Sequence, residues 1–259
     1  MNSDYVAFAK ALAEEAGTLL LSDFYTGVNK SWKADNTPVT ETDIKINHIV
    51  IDKVTQAFPG HSVLAEEGDY HSTLGEFVWV CDPLDGTIPF AHGVPTSVFS
   101  IALLEKGEAI LGVVYDPFMK RMYVGEKGKG AFLNQKRISV SEHTELKGSV
   151  IGLIQWSDAH VDLSRTEHFL QLAGAKVLNT GSIAAMGALV SDGKFAATIF
   201  AGDKPHDSAA LKVLVEEAGG RVTNVYCQEQ RYDAEIKGHI SSNTILHDKL
   251  VAIVQDSMK

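Results

Sequence analysis

Residues 77–87 read Phe-Val-Trp-Val-Cys-Asp-Pro-Leu-Asp-Gly-Thr. An apolar run of strand character ends in two carboxylates, Asp82 and Asp85, and Gly86 and Thr87 follow at once. The pattern puts a buried strand in the core and two anionic side chains at its end. Oxygen donors of this kind suit a hard divalent cation such as Mg²⁺, and a glycine-opened backbone exposes N–H groups to an anion. Asp-Pro and Asp-Gly are also ordinary turn dipeptides, so the stretch taken alone is readable as a tight loop after a strand.

Other carboxylates bear on that choice. Ala65-Glu66-Glu67-Gly68 follows a short apolar strand and is either a solvated acidic loop or a second ligand segment. Pro38-Val39-Thr40-Glu41-Thr42-Asp43 places Asp43 at a helix start, where the helix dipole by itself favours an acid. Asp207, before the Ala-rich run Ser208-Ala209-Ala210-Leu211, is an N-cap or a further ligand. If Glu66, Asp82, Asp85 and Asp207 converge, their mutual repulsion disfavours ionisation unless divalent cations neutralise them. Such a cluster suits metal-assisted hydrolysis of a phosphomonoester by direct attack of an activated water. A covalent aspartyl mechanism with acids two apart is excluded, because the position two before Asp85 is Pro83.

The chain has 259 residues, 45% of them hydrophobic, enough for one large domain or two closely joined ones. A net charge of −10 does not favour a nucleic-acid groove. Two cysteines imply no disulfide framework and fit a reducing cytoplasm, and Cys81 reads as a core residue. No apolar run reaches the ~18 residues that would span a membrane, and charges within the first helix argue against a signal peptide.

Helical spacing predicts a first helix from Val6 to near Phe24–Gly27, a polar, turn-rich stretch from Lys33 to Thr40, and a second helix from Asp43 to Phe58 with Thr42 as N-cap. Strand-like runs at 62–64, 77–81, 97–104, 109–115 and 121–124 predict antiparallel pairing, with a hairpin over 125–140. Strands at 150–154, 176–178 and 195–200 alternate with helices at 163–173, 183–191 and 207–218. Strands near Arg221 and Ile236 and a last helix from Ile245 complete the chain. The polar stretch 139–148 divides an N-terminal α+β half, 1–143, carrying most of the acids, from a C-terminal α/β half, 144–259, carrying Asp207.

The ordered motifs at 38–43, 65–68, 82–87, 207–210 and 216–220 resemble those of the inositol monophosphatase family, within the lithium-sensitive phosphatase superfamily. The resemblance implies an α+β fold layered as an α-β-α-β-α sandwich, a homodimer and a small phosphorylated metabolite as substrate. It implies two to three Mg²⁺ per site. Glu66, Asp82 and the Leu84 carbonyl would hold one, Asp82, Asp85 and Asp207 a second, with a weaker third near Glu66. Asp43 and Thr87 would position or activate water, and the Gly86 and Thr87 N–H groups would receive phosphate at a helix start. Gly181 and Ser182 match the substrate loop.

The chain departs from that pattern at Pro89, His206, Leu211 and Phe200. Pro89 removes an Asn that supports the phosphate loop, although proline is tolerated in a first helical turn. His206 stands for a Trp, either as filler beside the metal or as an added proton donor. Leu211 stands for a Gly, read as a packing change. Phe200, seven residues before Asp207, stands for an acid that binds substrate hydroxyls, and a polyol would leave its hydroxyls unpaired there. Lys204 is a candidate for a second anionic group of substrate, or a solvated loop lysine. Alternatives to an inositol 1-phosphate-like substrate are histidinol phosphate, 3′-phosphoadenosine 5′-phosphate and fructose 1,6-bisphosphate. A catalytically weak ligand-binding or regulatory protein is the alternative of another class.

Overall fold

A computed structural model describes residues 3–27, 30–32, 38–67, 75–156 and 161–258. The first part contains α1 (Ser3–Thr26), β1 (Lys30–Trp32), β2 (Pro38–Thr40), α2 (Glu41–Ala57), β3 (Ser62–Ala65), β4 (Phe77–Asp85) and α3 (Thr87–Ala91). A meander follows: β5 (Val98–Glu105), β6 (Glu108–Asp116), β7 (Arg121–Glu126), β8 (Gly130–Leu133) and β9 (Lys136–Arg137). The remainder runs β10 (Val150–Ile154), α4 (Ser164–Leu172), β11 (Lys176–Leu178), α5 (Ile183–Ser191), β12 (Ala197–Phe200), a 3₁₀ turn (Pro205–Asp207), α6 (Ala209–Glu217), β13 (Gly220–Thr223), β14 (His239–Asn243) and α7 (His247–Ser257).

Among the described residues, β3 to β9 form one sheet in chain order, with β3 parallel to β4 and every other pair antiparallel. The second sheet has the order β11-β10-β12-β14-β13, with the first three strands parallel, as α/β alternation requires. Three helix layers cover these two sheets. Leu12 and Leu20 of α1 and Ile46 and Val50 of α2 bury against Trp79, Ile101 and Leu103. The pair α5 and α6 lies between the sheets: Ala184, Ala188, Leu211 and Leu214 meet Val78, Val80 and Val114, while Met186, Val190 and Val215 meet Ile154 and Val222. Leu170 of α4 and Leu250 and Val254 of α7 cover Ile151, Ile199 and Ile240 on the far face. The architecture is the expected α-β-α-β-α sandwich.

Two close approaches seat the central layer. A Cβ on Gly112 of β6 would lie 2.3 Å from the Ala210 carbonyl oxygen, so α6 rests its first turn directly on the sheet. A Cβ on Gly187 would lie 2.2 Å from Leu211 Cδ1, so Leu211 fills the space that a glycine on α5 leaves open. Leu211 is thus a packing residue, as its sequence position led us to expect.

Several boundaries differ from the sequence reading. Thr40, not Thr42, caps α2: its hydroxyl accepts from the Asp43 N–H, and the Asp43 carboxylate accepts from the Thr40 N–H in return. Thr42 Oγ1 instead donates to Asp23 Oδ2 at 2.8 Å. Residues Pro38–Thr40 pair antiparallel with β1, a ribbon the reading of 33–40 as turns overlooked; residues 33–37 lie outside the described residues. Asp207 ends a 3₁₀ turn opened by Pro205, and Ser208 takes the N-cap position of α6. The strand expected near Ile236 lies at His239–Asn243, and the last helix begins at His247.

Candidate active site

Strand β4 does not stop at Cys81 but runs to Asp85. Side chains three apart on a regular strand point to opposite faces. Here Asp82 pairs with Ser100 and Asp85 with Val98, so three steps on β4 oppose two on β5. The extra residue is a β-bulge, which resets the alternation and turns both carboxylates toward the central helix layer. Pro83 sits within it, where a missing N–H costs no ladder bond. Leu84 N donates to Asp82 Oδ1 at 2.9 Å, which fixes that carboxylate from behind. The Leu84 side chain is fully buried beneath α1 and α2, while its carbonyl accepts from Thr87 Oγ1 at 3.1 Å.

Asp85 is anchored from the other side. Its Oδ2 accepts from Ser182 Oγ and from Ala184 N, both at 2.6 Å, at the start of α5. The positive end of α5 therefore meets this carboxylate, which the Ile183 amide contacts as well. Ser182 caps α5 as well, its Oγ accepting from Ala185 N at 3.1 Å. Gly86, at φ +94°, turns the chain into α3; a Cβ there would come within 3.1 Å of Ser97 Oγ and 3.2 Å of Ser182 Cβ. Ser97 Oγ donates to the Gly86 carbonyl at 2.7 Å, a brace the sequence reading missed. Gly181 packs equally tightly, its virtual Cβ 2.8 Å from Pro89 Cγ. Pro89 is buried and so takes part in holding the loop before α5.

Asp43 is fully buried at the start of α2. Its Oδ2 accepts from Thr40 N at 2.8 Å and Thr40 Oγ1 at 2.5 Å, and its Oδ1 faces the Thr87 hydroxyl at 3.3 Å. Thr87 thus spans from Asp43 to the Leu84 carbonyl. Next to them, Glu66 N donates to the Cys81 carbonyl at 3.1 Å, which extends β3 alongside β4. Gly68 of this motif lies outside the described residues.

Three sets of side chains bring possible ligand atoms within 4.8 Å of one another: Asp82 with Asp85 and Asp207; Glu66 with Asp82 and His206; and Asp43 with Glu66 and Glu67. Two ligands on opposite sides of a cation at ~2.1 Å span ~4.2 Å, so each set is close to coordination size. The chain therefore has acidic clusters that fit a metal site. Glu67 and His206 join it in addition to the acids singled out in the sequence. The signal for Glu67 was its place beside Glu66, and for His206 its place beside Asp207.

The electrostatics agree. Burial pushes the Asp43 and Asp85 carboxyls up to about 6, against the lowering effect of their hydrogen bonds. Asp82 is held well above the usual carboxylate range by burial and then by Glu66, Asp85 and Asp207. Asp207 is raised by burial and then by Asp85 and Glu66. Acids that resist ionisation in one another's company are what a divalent cation relieves. Cys81, fully buried, has its thiol pushed up chiefly by burial, consistent with a core role.

One expected substrate contact is placed otherwise. Phe200 is 1% exposed and packs in the core with Ile154, Ile183 and Met186. Gly202 folds over its ring, a Cβ there falling 2.0 Å from Phe200 Cζ, so the ring offers no wall to a bound molecule. Lys204 is exposed, and its Nζ lies 3.4 Å from Asp203 Oδ1.

Two sheets enclosing a helix pair, with acids gathered at a strand bulge, define an α+β sandwich with a candidate metal centre. The model of the inositol monophosphatase family matches residues 1–259, and the chain belongs to that family. It is 33% identical to a fructose-1,6-bisphosphatase/inositol-1-monophosphatase of Thermotoga maritima, over 84% of this chain and 82% of that protein. It is also 33% identical to Nus factor SuhB of Pseudomonas aeruginosa, again over 84% and 82%. The solved structure of a Thermotoga maritima IMPase superimposes with a TM-score of 0.89 at 32% identity, covering 98% of each chain. Among the described residues no helix is long and apolar enough to cross a membrane.

Proposed function

We propose that the chain is a Mg²⁺-dependent phosphomonoesterase acting on a small phosphorylated metabolite by direct attack of water. The convergence of Asp82, Asp85 and Asp207 beside Glu66 and next to the Asp43–Thr87 pair carries this reading. Glu66, Asp82 and the Leu84 carbonyl would hold one cation, Asp82, Asp85 and Asp207 a second, and Glu66 with Glu67 a weaker third. Bound there, the cations would neutralise the carboxylates, polarise the phosphate and acidify water.

The chain's own groups divide the remaining work. Thr87 Oγ1 has two acceptors within reach of its one proton, the Leu84 carbonyl at 3.1 Å and Asp43 Oδ1 at 3.3 Å, so its oxygen is left to accept from a water in front of it and to fix its direction. The N–H groups of Gly86 and Thr87 seat phosphate oxygens, and the Ser97 brace holds that turn. Gly181 and Ser182 shape the neighbouring wall. With Phe200 in the core, selectivity among polyol phosphates falls to the Asp203–Lys204 rim. Self-association, implied by the family, is proposed for the open edge of β11, where Trp156, Leu172 and Leu178 are exposed.

Phosphate release from inositol 1-phosphate, histidinol phosphate, 3′-phosphoadenosine 5′-phosphate and fructose 1,6-bisphosphate, with and without Mg²⁺, tests the proposal. Turnover that persists undiminished in EDTA or in Asp85→Asn overturns it, and retention of configuration at phosphorus overturns direct attack. The relatives named Nus factor SuhB favour a second reading, a binding role for the same fold. Calorimetric binding of one of these compounds without phosphate release would support that reading.

A further inference from the structure

The His206 ring lies within the acidic cluster. One of its ring nitrogens lies within 4.8 Å of carboxylate oxygens of both Glu66 and Asp82, which are within the same distance of each other. The imidazole is mostly shielded, 13% exposed, and its Nε2 is 3.9 Å from Asp207 Oδ1, too far for a hydrogen bond. Local structure accounts for the placement. Pro205 opens a 3₁₀ turn, closed by Ser208 N donating to the Pro205 carbonyl at 3.2 Å. Successive side chains of such a turn diverge by about 120°. Asp207 therefore reaches Asp82 and Asp85, while His206 reaches Asp82 and Glu66. Asp82 belongs to both sets and links two adjacent positions of different chemistry, one of oxygen donors only and one with a nitrogen.

We propose that His206 is a ligand to the cation gathered by Glu66 and Asp82, making a mixed nitrogen–oxygen position that takes Mn²⁺, Co²⁺ or Zn²⁺ in preference to Mg²⁺. The inference rests on the metal-site reading above and sharpens it by assigning a different cation preference to one position. Mg²⁺ favours oxygen ligands and gives up its waters reluctantly, whereas imidazole nitrogen suits first-row transition ions. The Asp82–Asp85–Asp207 set contains no nitrogen and keeps the preference for a hard ion. Among the described residues, no other histidine joins any of these sets.

The test uses the intact chain, stripped of metal and loaded with Mn²⁺ alone. Pulsed electron paramagnetic resonance should show coupling of the Mn²⁺ electron to a ¹⁴N nucleus in the wild-type protein. The coupling should vanish in His206→Phe. Calorimetric titration with Mn²⁺ and separately with Mg²⁺ gives the second readout. The ratio of Mn²⁺ to Mg²⁺ affinity should fall by about tenfold in His206→Phe, with Mg²⁺ affinity itself changed less than about threefold. Absence of ¹⁴N coupling in the wild-type protein overturns the proposal without need of any variant. An unchanged affinity ratio in a folded His206→Phe does the same. Asp82→Asn separates the two levels. If it abolishes cation binding while the nitrogen signature is missing, the metal site stands and the His206 ligand falls. If it leaves cation binding intact, the underlying site reading fails and the proposal fails with it.

Discussion

Asp85→Asn should make the metal-free protein more stable while weakening its response to Mg²⁺. The Asp85 carboxyl is pushed up to about 6 from 3.8, mainly by burial and in spite of the Ser182 and Ala184 hydrogen bonds. A carboxyl raised in the folded state is favoured there in its neutral form. Its penalty is therefore absent well below pH 3.8, grows as pH rises through the window to about 6, and is complete above it. Linkage gives a cost of about 0.5 kcal/mol at pH 4 and about 3 kcal/mol at pH 7. Asparagine keeps an oxygen for Ser182 and Ala184 and carries no charge, so it mimics the protonated acid at every pH. With an unfolding entropy of roughly 0.5 kcal/mol/K for a chain of this size, the pH 7 difference corresponds to about 5 °C in Tm. The assay is thermal unfolding of EDTA-treated wild type and Asp85→Asn at pH 4 and pH 7, then with excess Mg²⁺. The expected pattern is near-equality at pH 4, a higher Tm for the variant at pH 7, and a Mg²⁺-induced rise that is larger in wild type. A variant less stable than wild type at pH 7, or equally stabilised by Mg²⁺, refutes the reasoning.

Gly86→Ala places a Cβ at φ +94° within 3.1 Å of Ser97 Oγ, and should cost about 1–3 kcal/mol in denaturant unfolding together with most phosphatase activity. Gly112→Val drives a side chain into the Ala210 carbonyl and should lower stability by about 3 kcal/mol, which the midpoint of a urea titration would show. Thr87→Val removes the hydroxyl between Asp43 and Leu84, and turnover of any substrate identified should fall by about 10²–10⁴ with melting little changed. His239, fully buried, has its pKa lowered from 6.5 to about 3 chiefly by burial, so the fold favours the neutral ring. Its stabilisation is complete above pH 6.5 and is lost as pH falls toward 3. The loss reaches about 3 kcal/mol by pH 4.5, and His239→Leu should flatten that limb of the stability curve.

What was legible in the sequence is what short-range patterning controls. Helix α5 lies where its apolar run is read, Ile183–Ser191, because Ser182 caps it and the run is Ala-rich apart from Gly187. The acids were found because Asp, Gly and Thr at a strand end are unusual together. Their common orientation was not legible, since a spacing of three on a strand argues against it, and only the pairing with Ser100 and Val98 reveals the bulge. Phe200 was misplaced for a related reason. Seven residues back from Asp207 is a distance along the chain, and Gly202 folding over the ring turns that distance into depth within the core. The capping of α2 was legible in principle, as Thr40 and Asp43 have capping-box spacing, but Thr42 offered an equally good cap by residue type.

The acids sit where the molecule is least able to yield. Asp82 and Asp85 lie on a strand whose residues 78–85 are all buried, and their retreat is blocked by the Leu84 and Ala184 amides. Asp43 is tied twice to Thr40, and the 3₁₀ turn bearing Asp207 leads directly into α6, whose first turn rests on Gly112. A looser scaffold would let repulsion spread the carboxylates, and cations would then have to draw them together at the expense of binding energy. Here the sandwich carries that strain in the metal-free state, where it appears as raised carboxyl pKa values rather than as displaced chains. The same rigidity explains why the stability gain and the weaker Mg²⁺ response should appear together in Asp85→Asn: both come from one charge held against its neighbours.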